Sequence, residues 1–266
     1  MRRHYRTSQF LLASCVLLSA ANAAFAVKVT LNGNEVFYDD FESRTPGATF
    51  GVPTPAAASW ALNFRDGNNV SVVDAVTPGA AEGSQYGRLE RSVGNRSSYA
   101  MAQFNVPVVD GDQLHAEWMM YIPAGQPQFA FNGGFEDVSE NRPIAIASGT
   151  DGDVFALNEG LFWANTGLDF AFDAWQKWEQ DWVVGSTDMT ITVGGASITV
   201  AGADPGGAEI TCFYFSTVPG SDFYVDAVPA AVSAVPEPSS IAIGAIGSLL
   251  MIASRRRRKA SSKSTM

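Results

Sequence analysis

Glu179 and Asp181 stand two residues apart in Glu179-Gln180-Asp181-Trp182-Val183-Val184. Alternate side chains of a strand share a face, so both carboxylates would look into one cleft, the arrangement that glycosidic bond cleavage uses. Val184 stands where a third acid would complete the run. In a chain this acidic, two surface acids on one strand are also ordinary, and catalysis is not the expectation. His115 is the one histidine beyond the N-terminal leader, which holds His4. A triad or a histidine-rich metal site lacks partners, so His115 is expected to be a hydrogen-bonded strand residue. No phosphate loop, dinucleotide fingerprint or Cys-x-x-Cys pair is present.

Six tryptophans could stack on sugar rings. Trp178 and Trp182 lie four apart, on the face opposite Lys177, Glu179 and Asp181, and so read as core. Trp118, among Leu114, Met120 and Ile122, reads the same way. Trp60 and Trp163 border loops and are the candidates for carbohydrate contact. Carboxylates also gather near the two ends of the body: Asp39 and Asp40 beside Glu42, and Asp222 with Asp226. If the first and last strands were neighbours, these four aspartates could share a structural calcium, an ion that takes oxygen ligands. Asp151-Gly152-Asp153 is a second such candidate, and solvated turn acids are the plainer alternative. No other cofactor is expected.

These residues sit on strands. Short runs rich in β-branched and aromatic residues recur between Gly, Pro, Asn and Asp: Glu35–Phe41, Val70–Val76, Tyr86–Val93, Ser98–Val106, Asp112–Ile122, Gln128–Phe131, Ile144–Ala147, Val154–Leu157, Leu161–Ala164, Trp175–Val184, Met189–Val193, Ser197–Val200, Ile210–Ser216 and Phe223–Val228. No stretch of the body reads as helix. The spacing predicts an all-β antiparallel sandwich over 27–228. Cys212 is the one cysteine of the body. It excludes an internal disulfide and reads as a small buried hydrophobe.

Both chain ends read as addresses. Arg2, Arg3 and Arg6 precede the apolar run Phe10–Ala21, and a small-x-small site follows, Ala24-Phe25-Ala26 or Ala21-Asn22-Ala23. This predicts a secretory signal helix over 1–26, removed by signal peptidase. Lipidation at Cys15 would leave only Phe10–Ser14 as apolar core, too short for such a segment. Between the two ends, eight basic residues face 26 acidic ones, a net charge of −18. Such a body repels phosphate backbones, and no nucleic-acid partner is expected.

After the linker 229–240 comes an apolar stretch, 241–254, and then the basic segment 255–266 with Arg255, Arg256, Arg257 and Arg258. The stretch is short for a transmembrane helix, which takes ~17–25 residues, and snorkelling arginines recover part of the deficit. The basic cluster would stay cytoplasmic. Pro236-Glu237-Pro238, the apolar stretch and the arginines together resemble the PEP-CTERM sorting signal. The resemblance implies that an exosortase recognises Pro236, Glu237 and Pro238. It further implies that the protein is anchored in the inner membrane before sorting to the envelope or the extracellular polysaccharide matrix.

The body resembles the laminin-G-like or concanavalin-A-like jelly roll in four places: Tyr38-Asp39-Asp40-Phe41-Glu42, Gly83-Ser84-Gln85-Tyr86, Trp175-Gln176-Lys177-Trp178 and Phe223-Tyr224-Val225-Asp226-Ala227-Val228. That likeness implies first and last strands side by side. The function expected is a structural or adhesive matrix component. A carbohydrate-binding module is the alternative, and a glycan-cleaving enzyme stands behind both.

Overall fold

The computed structural model describes residues 27–48, 59–64, 69–74, 78–81, 83–91, 98–104, 106–137, 144–158, 162–201, 209–226 and 228. In 59–64, 69–74 and 98–99 the description is of backbone alone. The signal helix, the transmembrane helix and the sorting motif lie outside these residues. None of the described residues forms a helix long and apolar enough to cross a membrane.

Sixteen strands are described: β1 (Val27–Leu31), β2 (Asn34–Asp39), β3 (Ser59–Phe64), β4 (Asn69–Asp74), β5 (Gln85–Arg91), β6 (Ser98–Gln103), β7 (Gln113–Tyr121), β8 (Asn132–Asp137), β9 (Ile144–Ser148), β10 (Asp153–Leu157), β11 (Trp163–Asp169), β12 (Gln176–Val183), β13 (Asp188–Val193), β14 (Ala196–Ala201), β15 (Ile210–Thr217) and β16 (Ser221–Asp226). All pairings are antiparallel. The larger sheet runs β14-β13-β12-β7-β16-β5-β4, with β1 added to β7 and β2 to β1. The smaller sheet runs β11-β10-β9-β8-β15-β6-β3. These strands belong to one compact unit, Ala24–Ala231.

Alternation builds the core. On β7, Leu114, Ala116, Trp118 and Met120 are buried, while His115, Glu117, Met119 and Tyr121 are half-buried. On β12, Trp178, Gln180 and Trp182 point inward and Lys177, Glu179 and Asp181 outward. The tryptophan polarity read from the sequence therefore holds. Trp118 meets Phe213 and Phe215 of the smaller sheet at ring-centroid distances of 5.1 and 5.6 Å, tying the layers together. Cys212 is buried. Gly194 and Gly195 both have positive φ, 57° and 90°. They form the two-residue turn joining β13 to β14, where a hairpin twist demands left-handed residues.

Two expectations fail. Gln128–Phe131 is not a strand: Phe129 adopts φ 62°, and the strand begins at Asn132. Nor do the first and last strands pair. β1 bonds to Leu114–Glu117 of β7, and β16 to Met119–Tyr121 of the same strand. They lie end to end along one edge of β7, because each covers only half of it. Lys28 sits opposite Glu117 and Asp226 opposite Met119, so the start of β1 and the end of β16 come together.

Candidate functional site

The outer face of the larger sheet carries two polar rows that cross five strands in register. The first is Thr30, His115, Asp181, Thr190 and Thr199; the second is Lys28, Glu117, Glu179, Thr192 and Ser197. Each row follows from the same alternation that sends Trp118, Trp178 and Ile191 inward. With strands ~4.8 Å apart, each row runs about 19 Å from β1 to β14.

The second row is an ion-pair network. Glu117 Oε2 lies 2.8 Å from Lys177 Nζ, and Glu117 Oε1 lies 3.3 Å from Lys28 Nζ. Lys177 also reaches Glu179 at 2.7 Å. His115 links the rows: Nδ1 is 2.8 Å from Asp181 Oδ1, and Nε2 is 3.9 Å from Glu117 Oε2. Asp181 and then Glu117 hold the His115 proton, raising its pKa to about 9 against the cost of burial. His115 foremost, then Lys177, keeps Glu117 ionised down to about 2. Glu117 is thus a poor proton donor, and a glycosidase acid needs the opposite shift.

These shifts set a pH window. The His115 contribution is complete below its ordinary value of 6.5 and is lost as pH rises through about 9. The Glu117 contribution is complete above 4.5 and is lost as pH falls toward about 2. The network therefore stabilises most between about pH 4.5 and 6.5. Melting temperatures measured from pH 5 to pH 10 should fall on the alkaline side, and His115→Gln should flatten that fall. An unchanged slope in the variant would contradict the linkage.

The first row lines a cleft of about 470 Å³ together with Gly33, Asp188, Ser186 and Trp182. Thr190 and Thr199 share a hydrogen bond of 3.0 Å, and Thr192 and Ser197 one of 2.7 Å. The Trp182 indole N–H donates to Ser186 O at 2.8 Å, fixing the β12–β13 turn at the rim of the cleft. The cleft thus offers hydroxyls, the Asp181 carboxylate and one imidazole in a single line, with the Asp188 carboxylate beside it.

The other sequence candidates lie elsewhere. Trp163 opens β11 and is half-buried on the outer face of the smaller sheet, 5.3 Å from Phe129 between ring centroids and packed on a small cluster with Tyr214. Trp60 pairs with Ala102 in backbone register, and its side chain lies outside the described residues. Among the described residues, the four aspartates proposed for calcium do not form one group of metal-ligating atoms. Asp39 is buried and bound by Arg44 through both oxygens, and its Oδ1 also accepts Phe41 N–H. Asp40 accepts Glu42 N–H. Asp222 is held by Arg88, Gln126 and Tyr224, and buried Asp226 accepts Ala81 N–H. Asp153 lies at the start of β10, and its carbonyl accepts Gly149 N–H; Asp151 is in the preceding turn.

Glu179 and Asp181 share a face, as read. The sequence missed their partners His115 and Glu117 on β7, a strand about sixty residues earlier. The alternation of Asp112–Ile122 already put His115 and Glu117 on one polar face, and that was the available signal.

No protein-family model matches the chain, and no curated protein matches it. Among solved structures it is similar to a carbohydrate-binding module from Bacillus subtilis, at 10% identity and TM-score 0.40, covering 63% of this chain and 91% of that one. It is similar to lectin II from Ulex europaeus at 10% identity and TM-score 0.37, covering 66% and 94%. It is also similar to a sialidase at 10% identity and TM-score 0.48, covering 65% of this chain and spanning 17% of the sialidase.

Proposed function

We propose that the chain is an exported protein, delivered to the envelope or extracellular matrix through a PEP-CTERM tail, whose β-sandwich is an adhesive, carbohydrate-binding body. The cleft-lining row carries this reading: five polar side chains, one from each of five adjacent strands, line a groove that an extended polymer of hydroxylated rings could follow. Such a polymer meets a donor or acceptor on every strand it crosses. The net charge of −18 over the body and the carboxylates Asp181 and Asp188 in the cleft favour a neutral or amino-bearing polysaccharide over a polyanionic one. Export rests on the sequence of the two ends, with Pro236, Glu237, Pro238 and the four arginines as the residues an exosortase would read.

The test is fractionation followed by binding. The processed protein should be found outside the inner membrane and should be retained by neutral or amino polysaccharide from the producing cells. Thr190→Val with Thr199→Val should weaken retention about tenfold or more, as loss of two hydrogen-bonding groups implies. Retention that the double variant leaves unchanged would remove the cleft from the account. The full-length chain, uncut and dissolved in the cytoplasm, would remove export.

A further inference from the structure

Glu117 and Glu179 face each other directly across β7 and β12. Like charges in that position repel, so the pair requires a cation between them. Here the cation is the Lys177 ammonium, 2.8 Å from one carboxylate and 2.7 Å from the other. A second feature sets the site apart from a plain ion-pair network. His115 lies on the same face, and its Nε2 is turned toward the Glu117 oxygen that Lys177 contacts. Its Nδ1 is fixed by Asp181. A carboxylate on one ring nitrogen is the device by which metal-bound histidines are oriented, leaving the other nitrogen to ligate. His115, Glu117 and Glu179 each offer a ligand atom, and all three atoms lie within 4.8 Å of one another.

We propose that His115 Nε2, Glu117 and Glu179 form a binding site for a divalent transition metal of the zinc class, with Asp181 positioning His115 and Lys177 as the displaceable internal cation. One imidazole and two carboxylates make a three-ligand set with a fourth position left for water. The imidazole selects zinc, copper or nickel over calcium and magnesium, which prefer all-oxygen shells. The metal takes the place of the proton on His115 Nε2, which passes to solvent, and Lys177, 35% exposed along its side chain, swings out into solvent as the metal enters. The Lys28 ammonium can stay on the other oxygen of Glu117, because the two cations use different oxygens.

The experiment is a calorimetric titration of the untagged, intact chain with Zn²⁺. It is paired with electron paramagnetic resonance of the Cu²⁺ form, in which a nitrogen ligand is seen directly. The expected result is one saturable site per chain that excess Ca²⁺ does not displace, with a single-nitrogen signature. His115→Gln should remove that signature and weaken Zn²⁺ binding at least tenfold. Asp181→Asn should weaken it about 10–100-fold, the usual cost of losing an orienting partner. Lys177→Met should tighten Zn²⁺ binding by removing its competitor, and this prediction stands even if His115→Gln fails to fold. Absence of a saturable site, a nitrogen signature that survives His115→Gln in the folded protein, or unchanged or weaker binding in Lys177→Met would each overturn the proposal.

Discussion

Trp118→Ala should cost about 3–5 kcal/mol, the range for emptying a fully buried aromatic position. Domains are stable by only about 5–15 kcal/mol, so the variant should melt far below the wild type or fail to fold. Trp118 is 0% exposed at the middle of β7, in register with Trp178 of β12. Its ring lies against Phe131, Phe213 and Phe215 across the sandwich. No smaller neighbour can fill the gap, because the surrounding rings are held by one another: Phe135 against Phe213, and Phe131 against Phe223. Trp118→Phe should retain most of the stability. It keeps an aromatic ring, and it removes an indole N–H that has no hydrogen-bond acceptor among the described residues. Chemical denaturation of both variants measures the difference. An alanine variant within 1 kcal/mol of wild type, on the order of a surface substitution, would mean the sheets are not joined through this residue.

The second large effect belongs to Glu42. Its Oε1 accepts the backbone N–H of Ser84 and of Gln85, both at 2.7 Å, and its Oε2 accepts the Ser84 hydroxyl at 2.9 Å. Gln85 Nε2 returns a hydrogen bond to Glu42 O at 3.2 Å. Glu42→Ala deletes three hydrogen bonds to a charged acceptor. Ser84 is exposed, so water replaces part of the loss, and the expected cost is about 2 kcal/mol. Gly83 completes the clasp. It holds φ +64°, and a Cβ there would lie 2.5 Å from Glu42 Oε1. The carboxylate cannot yield without giving up its bonds to Ser84 and Gln85. Gly83→Ala should therefore destabilise the wild type more than it destabilises Glu42→Ala, where the clash is gone. Denaturation of the four species gives this coupling, and strictly additive costs would show that the two residues do not form one joint.

That clasp explains why the sequence was legible where it was. The four stretches carrying the jelly-roll resemblance converge on the segment Gly79–Tyr86. Glu42 holds Ser84 and Gln85, Asp226 accepts Ala81 N–H, and the Trp175 indole donates to Gly79 O. Tyr86 packs edge-on against Trp175 and Tyr224. Motifs scattered from Tyr38 to Val228 were therefore parts of one packing arrangement.

Alternation was equally readable, because burial on one side forces it. It placed Trp118, Trp178 and Trp182 inward, and Glu179 and Asp181 outward. Two opening strands were missed where compositional cues pointed elsewhere. Val27–Leu31 adjoins the expected cleavage site, and Ser59–Phe64 follows a Pro- and Ala-rich run. β8 holds Gly133 and Gly134, a residue type that also punctuates turns. Their reason is close approach: a Cβ on Gly134 would lie 2.0 Å from Ile144 O. The polar rows were invisible for a different reason. Which residue of β12 faces His115 depends on strand register, and register is set by tertiary packing rather than by local pattern.

The binding surface we propose is the outer face of the larger sheet, and backbone hydrogen exchange with and without a bound neutral polysaccharide tests that placement directly. Slowed exchange is expected along β1, β7, β12, β13 and β14 and in the Val184–Thr187 turn, with the smaller sheet unchanged. Protection confined to the outer face of the smaller sheet, around Phe129 and Trp163, would contradict it.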